Sequence, residues 1–181
     1  MLNMTLLNIL HYPDNRLRQK GHNIDTFDEK LEKIATDMLE TMYQSKGIGL
    51  AAVQVNLPIR LIVIDISESR NEPLFLVNPL IIDKQELITF EEGCLSVPGF
   101  YEKIERYNSI NFIYQDLTGS EHTMNAEGLL SICVQHEIDH LDGKLFVDYI
   151  SQLKRDRIAK KIKKAESSNT VPSRKNVPYN I

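Results

Sequence analysis

His136 and His140, four residues apart with Glu137 directly after the first, constrain this chain more than any other stretch. On a helix, side chains four apart leave the same face about one turn from each other. Both imidazoles can then reach one metal ion. Glu137 sits beside that ion without having to ligate it, and a carboxylate there can take a proton from a metal-bound water. The pattern predicts a helix whose polar face is committed to hydrolytic chemistry. Such a run also arises by chance in unrelated chains, so its surroundings have to decide its meaning.

Those surroundings are apolar. Leu129, Leu130, Ile132, Cys133, Val134 and Ile138 make the helix predicted over 126–141 hydrophobic almost all round, hence buried, with Gly143 ending it. Buried histidine, glutamate and aspartate need partners or a metal, which weakens the chance reading. Two histidines leave an ion short of ligands. One protease pattern would supply a third histidine after a glycine, but Gly143 is followed by Phe146 where that histidine is needed. A second pattern uses a glutamate on a following helix, and Glu166 lies in a basic segment unsuited to it. Cys94 is the better third ligand. A thiolate is a soft donor for a divalent transition metal, and Gly93 before it with Pro98-Gly99 after it let backbone come close. Cys133, within the apolar helix, reads as a small buried hydrophobe.

The rest of the chain supports one α+β domain. Its 181 residues are 42% apolar and 25% charged, enough for a real core. No apolar run approaches the length of a membrane span, Met1–Leu7 makes a poor signal peptide, and two cysteines suit a reducing compartment; a cytoplasmic protein is expected. Charge is uneven: residues 151–181 carry nine Lys/Arg and two Asp/Glu, against twelve and twenty-three in residues 1–150. Residues 6–10 read as an edge strand or a packed arm, and Arg16–Arg18 as a helical turn. A helix is predicted over 26–46, with Thr26 and Glu29 as a capping box and Gly47 as its C-terminal cap. The β-branched run 59–66 predicts a buried strand. A further strand over 74–77 is broken at Asn78-Pro79 and resumes over 80–90. Strands over 101–115 and 120–125 flank a hairpin loop at Asp116–Gly119. Residues 151–166 read as a basic amphipathic helix using Leu153, Ile158 and Ile162, and 167–181 as a disordered tail. Gly47–Gln54 is small and apolar, backbone that must approach a ligand closely, with Gln54 the polar group at its end.

Three stretches together carry a resemblance: Gly47-Ile48-Gly49-Leu50-Ala51-Ala52-Val53-Gln54, Glu92-Gly93-Cys94-Leu95-Ser96 and His136-Glu137-Ile138-Asp139-His140. In this order they resemble the signature motifs of the peptide deformylase family, over roughly residues 4–165. The resemblance implies antiparallel sheets packed around the helix bearing the histidines, with a C-terminal helix; residues 1–166 would form the catalytic domain. It implies removal of the N-formyl group from the formylmethionine of newly synthesised proteins, releasing formate, by Glu-assisted attack of a metal-bound water. One divalent ion per chain is implied, Fe²⁺ natively, with Zn²⁺, Ni²⁺ or Co²⁺ as substitutes. Cys94, His136 and His140 resemble the ligands and Glu137 the general acid/base. The Gln54 side chain and the Leu95 N–H resemble the donors to the formyl oxygen. Gly49 resembles the position holding the substrate main chain. Ile48, Phe90, Glu92, Leu129, Ile132 and Cys133 match positions lining the methionine pocket, and Arg106 an arginine that pairs with Glu92. Formylmethionyl nascent peptides are the implied partners; the basic helix 151–166 resembles one that docks on the ribosome. No DNA or membrane partner is expected. Two rivals carry different expectations: another metal-dependent amidase or peptidase, and a non-catalytic binder of nascent chains or ribosomes.

Overall fold

A strand buried on both faces organises the molecule. In the computed structural model, which describes residues 5–168, 170 and 181, Leu61–Ile64 forms β2, and all four of its residues are buried. Successive side chains on a strand point to opposite faces. Leu61 and Val63 accordingly join one hydrophobic cluster, with Leu31, Ala35, Met38 and Met42 of α1 (Glu29–Gln44). Ile62 and Ile64 join another, with Ile132, Cys133 and Val134 of α2 (Gly128–Leu141). Helices cover both sides, which is why the run is uniformly apolar rather than alternating.

β2 is second in a five-stranded antiparallel sheet of order β1-β2-β3-β4-β5. The others are β1 (Gly49–Ala51), β3 (Leu74–Gly93), β4 (Tyr101–Gln115) and β5 (Glu121–Glu127). The break expected at Asn78-Pro79 is a bulge inside a 20-residue strand: the register against β4 shifts between Val77 and Leu80, and Asn78 has φ 51°. Proline cannot donate to the ladder, and a bulge absorbs the missing bond. β3 thereby serves β2 with its first residues and β4 with the rest, and the antiparallel strands form one continuous sheet. On β4, Ile110 and Phe112 face the α2 cluster, as the alternation required. A third cluster joins Leu10, Leu17, Cys94, Val97 and Phe146 to Ile158 and Ile162 of α3 (Gln152–Ser167).

Several local expectations shift. α1 begins at Glu29 rather than Thr26, because Asp28 is the cap and accepts from the Leu31 N–H at 3.0 Å; Thr26 turns its hydroxyl to Asp25. At the other end the left-handed residue is Lys46, φ 59°, not Gly47. Residues 6–10 are an arm, not a strand: the Leu7 N–H donates to Thr41 Oγ1, the Leu10 N–H to the Gln54 carbonyl and the Tyr12 N–H to the Ser96 carbonyl. Leu153 is 72% exposed and packs no core; Ile158 and Ile162, with Ala159 packed beside them, anchor α3. Most of the tail expected to be disordered, residue 169 and residues 171–180, lies outside the described residues. At Ile181 that expectation fails, since the side chain is fully buried against α2's cluster. Among the described residues no helix is long and apolar enough to cross a membrane.

α2 ends where it must. Gly143 follows with φ 75°, and a Cβ there would lie 2.5 Å from the Arg18 carbonyl oxygen. Gly143→Ala therefore meets both left-handed strain and a backbone clash. A loss of about 1–3 kcal/mol or more is expected in urea unfolding, whereas Leu153→Ala should change stability by less than about 0.5 kcal/mol.

Candidate metal centre and active site

Two elements bring three donor atoms together. α2 supplies His136 and His140 one turn apart, and the turn after β3 supplies Cys94. Cys94 Sγ lies 3.2 Å from His140 Nε2, which lies 3.2 Å from His136 Nε2. All three donors lie within 4.8 Å of one another. Their side chains are at most 1% exposed.

Proton placement explains what such a cluster needs. His136 Nδ1 donates to Glu92 Oε2 at 2.7 Å, which turns the lone pair of Nε2 toward His140 and Cys94. Burial first, with the neighbouring His136 and the Arg106 guanidinium adding to it, pushes His140 well below its ordinary pKa, so its ring is neutral. Burial and the nearby Glu137 push the Cys94 thiol up. Lone pairs converging at these separations are suited to a shared cation. Bonds of roughly 2.0–2.3 Å at tetrahedral angles put donors about 3.3–3.7 Å apart. A thiolate with two imidazoles is a transition-metal donor set. The residues fit a divalent ion, and Glu166, the alternative carboxylate ligand, is elsewhere, paired with His11 at the surface. Phe146, where a third histidine would stand in a protease pattern, stacks on His136 with ring centroids 6.4 Å apart.

Glu137 is the unusual group. It is fully buried, and neither carboxylate oxygen has a hydrogen-bond partner among the described residues. Burial first and then the charge on Glu92 raise its pKa well above the ordinary carboxylate value. Gly49 packs against it: a Cβ on residue 49 would lie 2.6 Å from Glu137 Oε1 and 2.8 Å from Cys133 Sγ. Within the Gly47–Gln54 stretch the main chain at residue 49 thus comes close to the Glu137 carboxyl group.

Gln54 is held by both ends. Its Oε1 accepts from the Ala51 N–H at 2.7 Å, while Nε2 donates to Ser96 Oγ at 3.1 Å and lies 3.6 Å from Cys94 Sγ. The Leu95 N–H donates to the main-chain oxygen of Ile181 at 3.0 Å. Ile132 and Cys133 are buried in one cluster with Ile181, and Ile48 and Phe90 pack on it half-buried. Leu129, half-buried at the start of α2, is not among them. Glu92 makes the pairing with Arg106 that the resemblance implied. Both its oxygens are engaged, Oε1 by Arg106 Nε at 2.7 Å and Oε2 by His136 and by Arg106 Nη2 at 3.1 Å. Burial pushes this carboxyl up, but His136 and Arg106 outweigh it and hold it below the usual range. Glu92 orients His136 rather than lining an apolar wall.

Sequence reasoning missed three contributors. Ser96 receives Gln54, and its place inside the Cys94 motif was the available signal. Asp139 accepts from Arg106 Nη1 at 2.6 Å and from the Tyr149 hydroxyl at 2.8 Å, extending the Glu92–Arg106 pair. Asp139 stands within the histidine motif, three residues after His136, on the turn that faces the same sheet edge. Tyr149 carried no signal.

Residues 6–156 match the sequence profile of the family described as polypeptide deformylase. The chain belongs to the polypeptide deformylase family. A peptide deformylase of Nitrosococcus oceani is 53% identical over 163 residues, 90% of this chain and 98% of that protein. The crystal structure of a peptide deformylase from Legionella pneumophila superposes with a TM-score of 0.87 at 43% identity, covering 91% of this chain and 98% of that one. One from Ehrlichia chaffeensis, in complex with actinonin, gives 0.86 at 40%, covering 90% and 99%. Membership in the deformylase family makes the chain an enzyme and accounts for the α+β architecture.

Three outcomes follow from the geometry of the donors and their supports. Metal binding to the metal-free protein at pH 7 should release a proton from the Cys94 thiol, because His140 is already neutral; calorimetry in buffers of different ionisation enthalpy should show that Cys94→Ser removes it. Glu92→Gln should weaken metal affinity about 10–100-fold in chelator competition. Arg106→Met, which strands a buried carboxylate, should cost about 3–5 kcal/mol of stability.

Proposed function

We propose that this chain removes the N-formyl group from the formylmethionine of newly synthesised proteins, releasing formate. The observation that carries this reading is Glu137: a buried carboxylate with no partner, beside a converging thiol and two imidazoles, with the Gly49 backbone pressed against it. A carboxylate left so exposed to an apolar interior is costly, and acid–base chemistry gives it a purpose. Cys94, His136 and His140 would hold one divalent ion. Fe²⁺ is the native ion on this reading, with Zn²⁺, Ni²⁺ or Co²⁺ as substitutes; when bound it supplies Lewis acidity to the attacking water and the formyl oxygen.

The chain's own residues do the rest. Glu137 accepts a proton from the attacking water and then delivers a proton to the nitrogen of the leaving methionine. Its raised proton affinity suits a group that must hold the proton between those events. Negative charge develops on the formyl oxygen, where the Gln54 amide and the Leu95 N–H donate to it. Gln54 is prepared for this by its Oε1 contact to Ala51, which aims Nε2 toward Cys94. Glu92 and Arg106 keep the His136 ring in one tautomer and one orientation. Gly49 leaves room for the substrate main chain. Ile48, Phe90, Leu129, Ile132 and Cys133 offer an apolar wall for a methionine side chain. The reaction belongs to the cytoplasm on this reading, and the basic face of α3 would present the enzyme to the ribosome.

The decisive experiment compares formyl-Met-Ala-Ser with acetyl-Met-Ala-Ser. The first should be cleaved and the second left nearly untouched; equal cleavage of both, or of neither, refutes the assignment. Glu137→Gln should lower kcat by about 10²–10⁴ while metal content stays at one per chain. Gln54→Ala should cost roughly 10²–10³ in kcat.

A further inference from the structure

The centre is sealed, and part of what seals it is the chain's own residue 181. Ile181 is fully buried in the cluster that contains Ile132 and Cys133. Its main-chain oxygen accepts from the Leu95 N–H at 3.0 Å. These are the two features by which the site is argued to take a substrate: an apolar wall for a side chain, and a main-chain donor for an oxygen. Leu95 adjoins the ligand Cys94, so the contact is made at the reacting end of the site. We propose that Ile181 occupies the substrate site in cis as a substrate mimic, and that formylmethionyl peptides must displace it. The inference rests on the function proposed above.

The chemistry is well matched. An unbranched thioether and a branched aliphatic chain are of similar volume and polarity, and an apolar pocket discriminates poorly between such groups. Reach is no obstacle: from Thr170, at the end of the described helical region, eleven residues span up to about 36–40 Å. Attachment to the same chain holds Ile181 at an effective concentration on the order of 1 mM. An intrinsic dissociation constant of about 0.1 mM would then raise the apparent KM about tenfold. Because Ile181 and the peptide exclude each other, kcat is untouched.

Two variants of the 181-residue chain and two readouts test this. Ile181→Asp would place a carboxylate in an apolar cluster, and it should leave the site. KM for formyl-Met-Ala-Ser should fall about tenfold with kcat unchanged, and in the metal-free protein amide hydrogen exchange at Leu95 should speed up about tenfold. Ile181→Met should keep both values near those of the parent chain. Unchanged Leu95 exchange in Ile181→Asp overturns the contact. Faster exchange with unchanged KM overturns the competition, because the vacated donor is then not one that the substrate uses. Failure of the parent chain to cleave formyl peptides would strike the deformylase reading instead, since the exchange measurement reports on the contact without turnover.

Discussion

The Arg106–Glu92–His136 chain of hydrogen bonds is the interaction on which the site depends. It links β4, the end of β3 and α2 through groups that are almost wholly buried. A buried carboxylate is tolerable only when its lone pairs are filled. Here a guanidinium fills them from one side and an imidazole N–H from the other. The consequence for chemistry is directional: once Nδ1 is committed to Glu92, Nε2 can face only the shared centre. Asp139 and Tyr149 continue the chain beyond Arg106, so the helical turn that follows His136 is tied to the same guanidinium. The donor geometry is therefore held by three elements at once.

This arrangement also explains why some of it was legible in sequence and some was not. His136, Glu137 and His140 announce themselves because helical spacing converts sequence distance into spatial distance. Cys94 was reached through the failure of Phe146 and Glu166 to act as ligands, and it does stand beside the two imidazoles. Gln54 was noticed as a polar end to an apolar stretch, and it does approach Cys94. Asp139 and Tyr149 were not given roles, because their partner comes from β4, over thirty residues away, and no local pattern encodes such a pairing. Glu92 was matched both to the pocket and, through the resemblance, to Arg106, and the pairing with Arg106 is the one its oxygens make.

The fold shows a similar division. The strand over 61–64 and the helix over 128–141 were legible because their patterns are strong and their burial is complete. Boundaries set by competition between adjacent polar groups were less so. Thr26, Asp28 and Glu29 all suit a helix start, and the one whose oxygen reaches the Leu31 N–H decides it. Asn78-Pro79 reads as a strand end locally, but the flanking residues have partners on both β2 and β4. Ladder bonds on either side outweigh one missing donor, and the strand bends instead of stopping. Leu153 fits a helical stripe by spacing alone, yet the stripe it belongs to extends past the body that α3 covers.

Burial has opposite effects on the reacting groups and on the groups that support them. Glu92 and Arg106 remain charged because each is the other's partner. Among the described residues Glu137 and Cys94 are in no ion pair, and burial drives both toward their protonated forms, while His140 is driven toward neutrality. A cation entering this space meets ligands that gain more from it than they would in water, since the same low polarity that suppresses their charge magnifies its attraction. Gly49 keeps that space narrow by bringing main chain where a side chain would stand. The apolar enclosure, the Glu137 carboxyl without a hydrogen-bond partner among the described residues and the missing side chain at residue 49 thus act together: each disfavours charge in this space until a cation enters it.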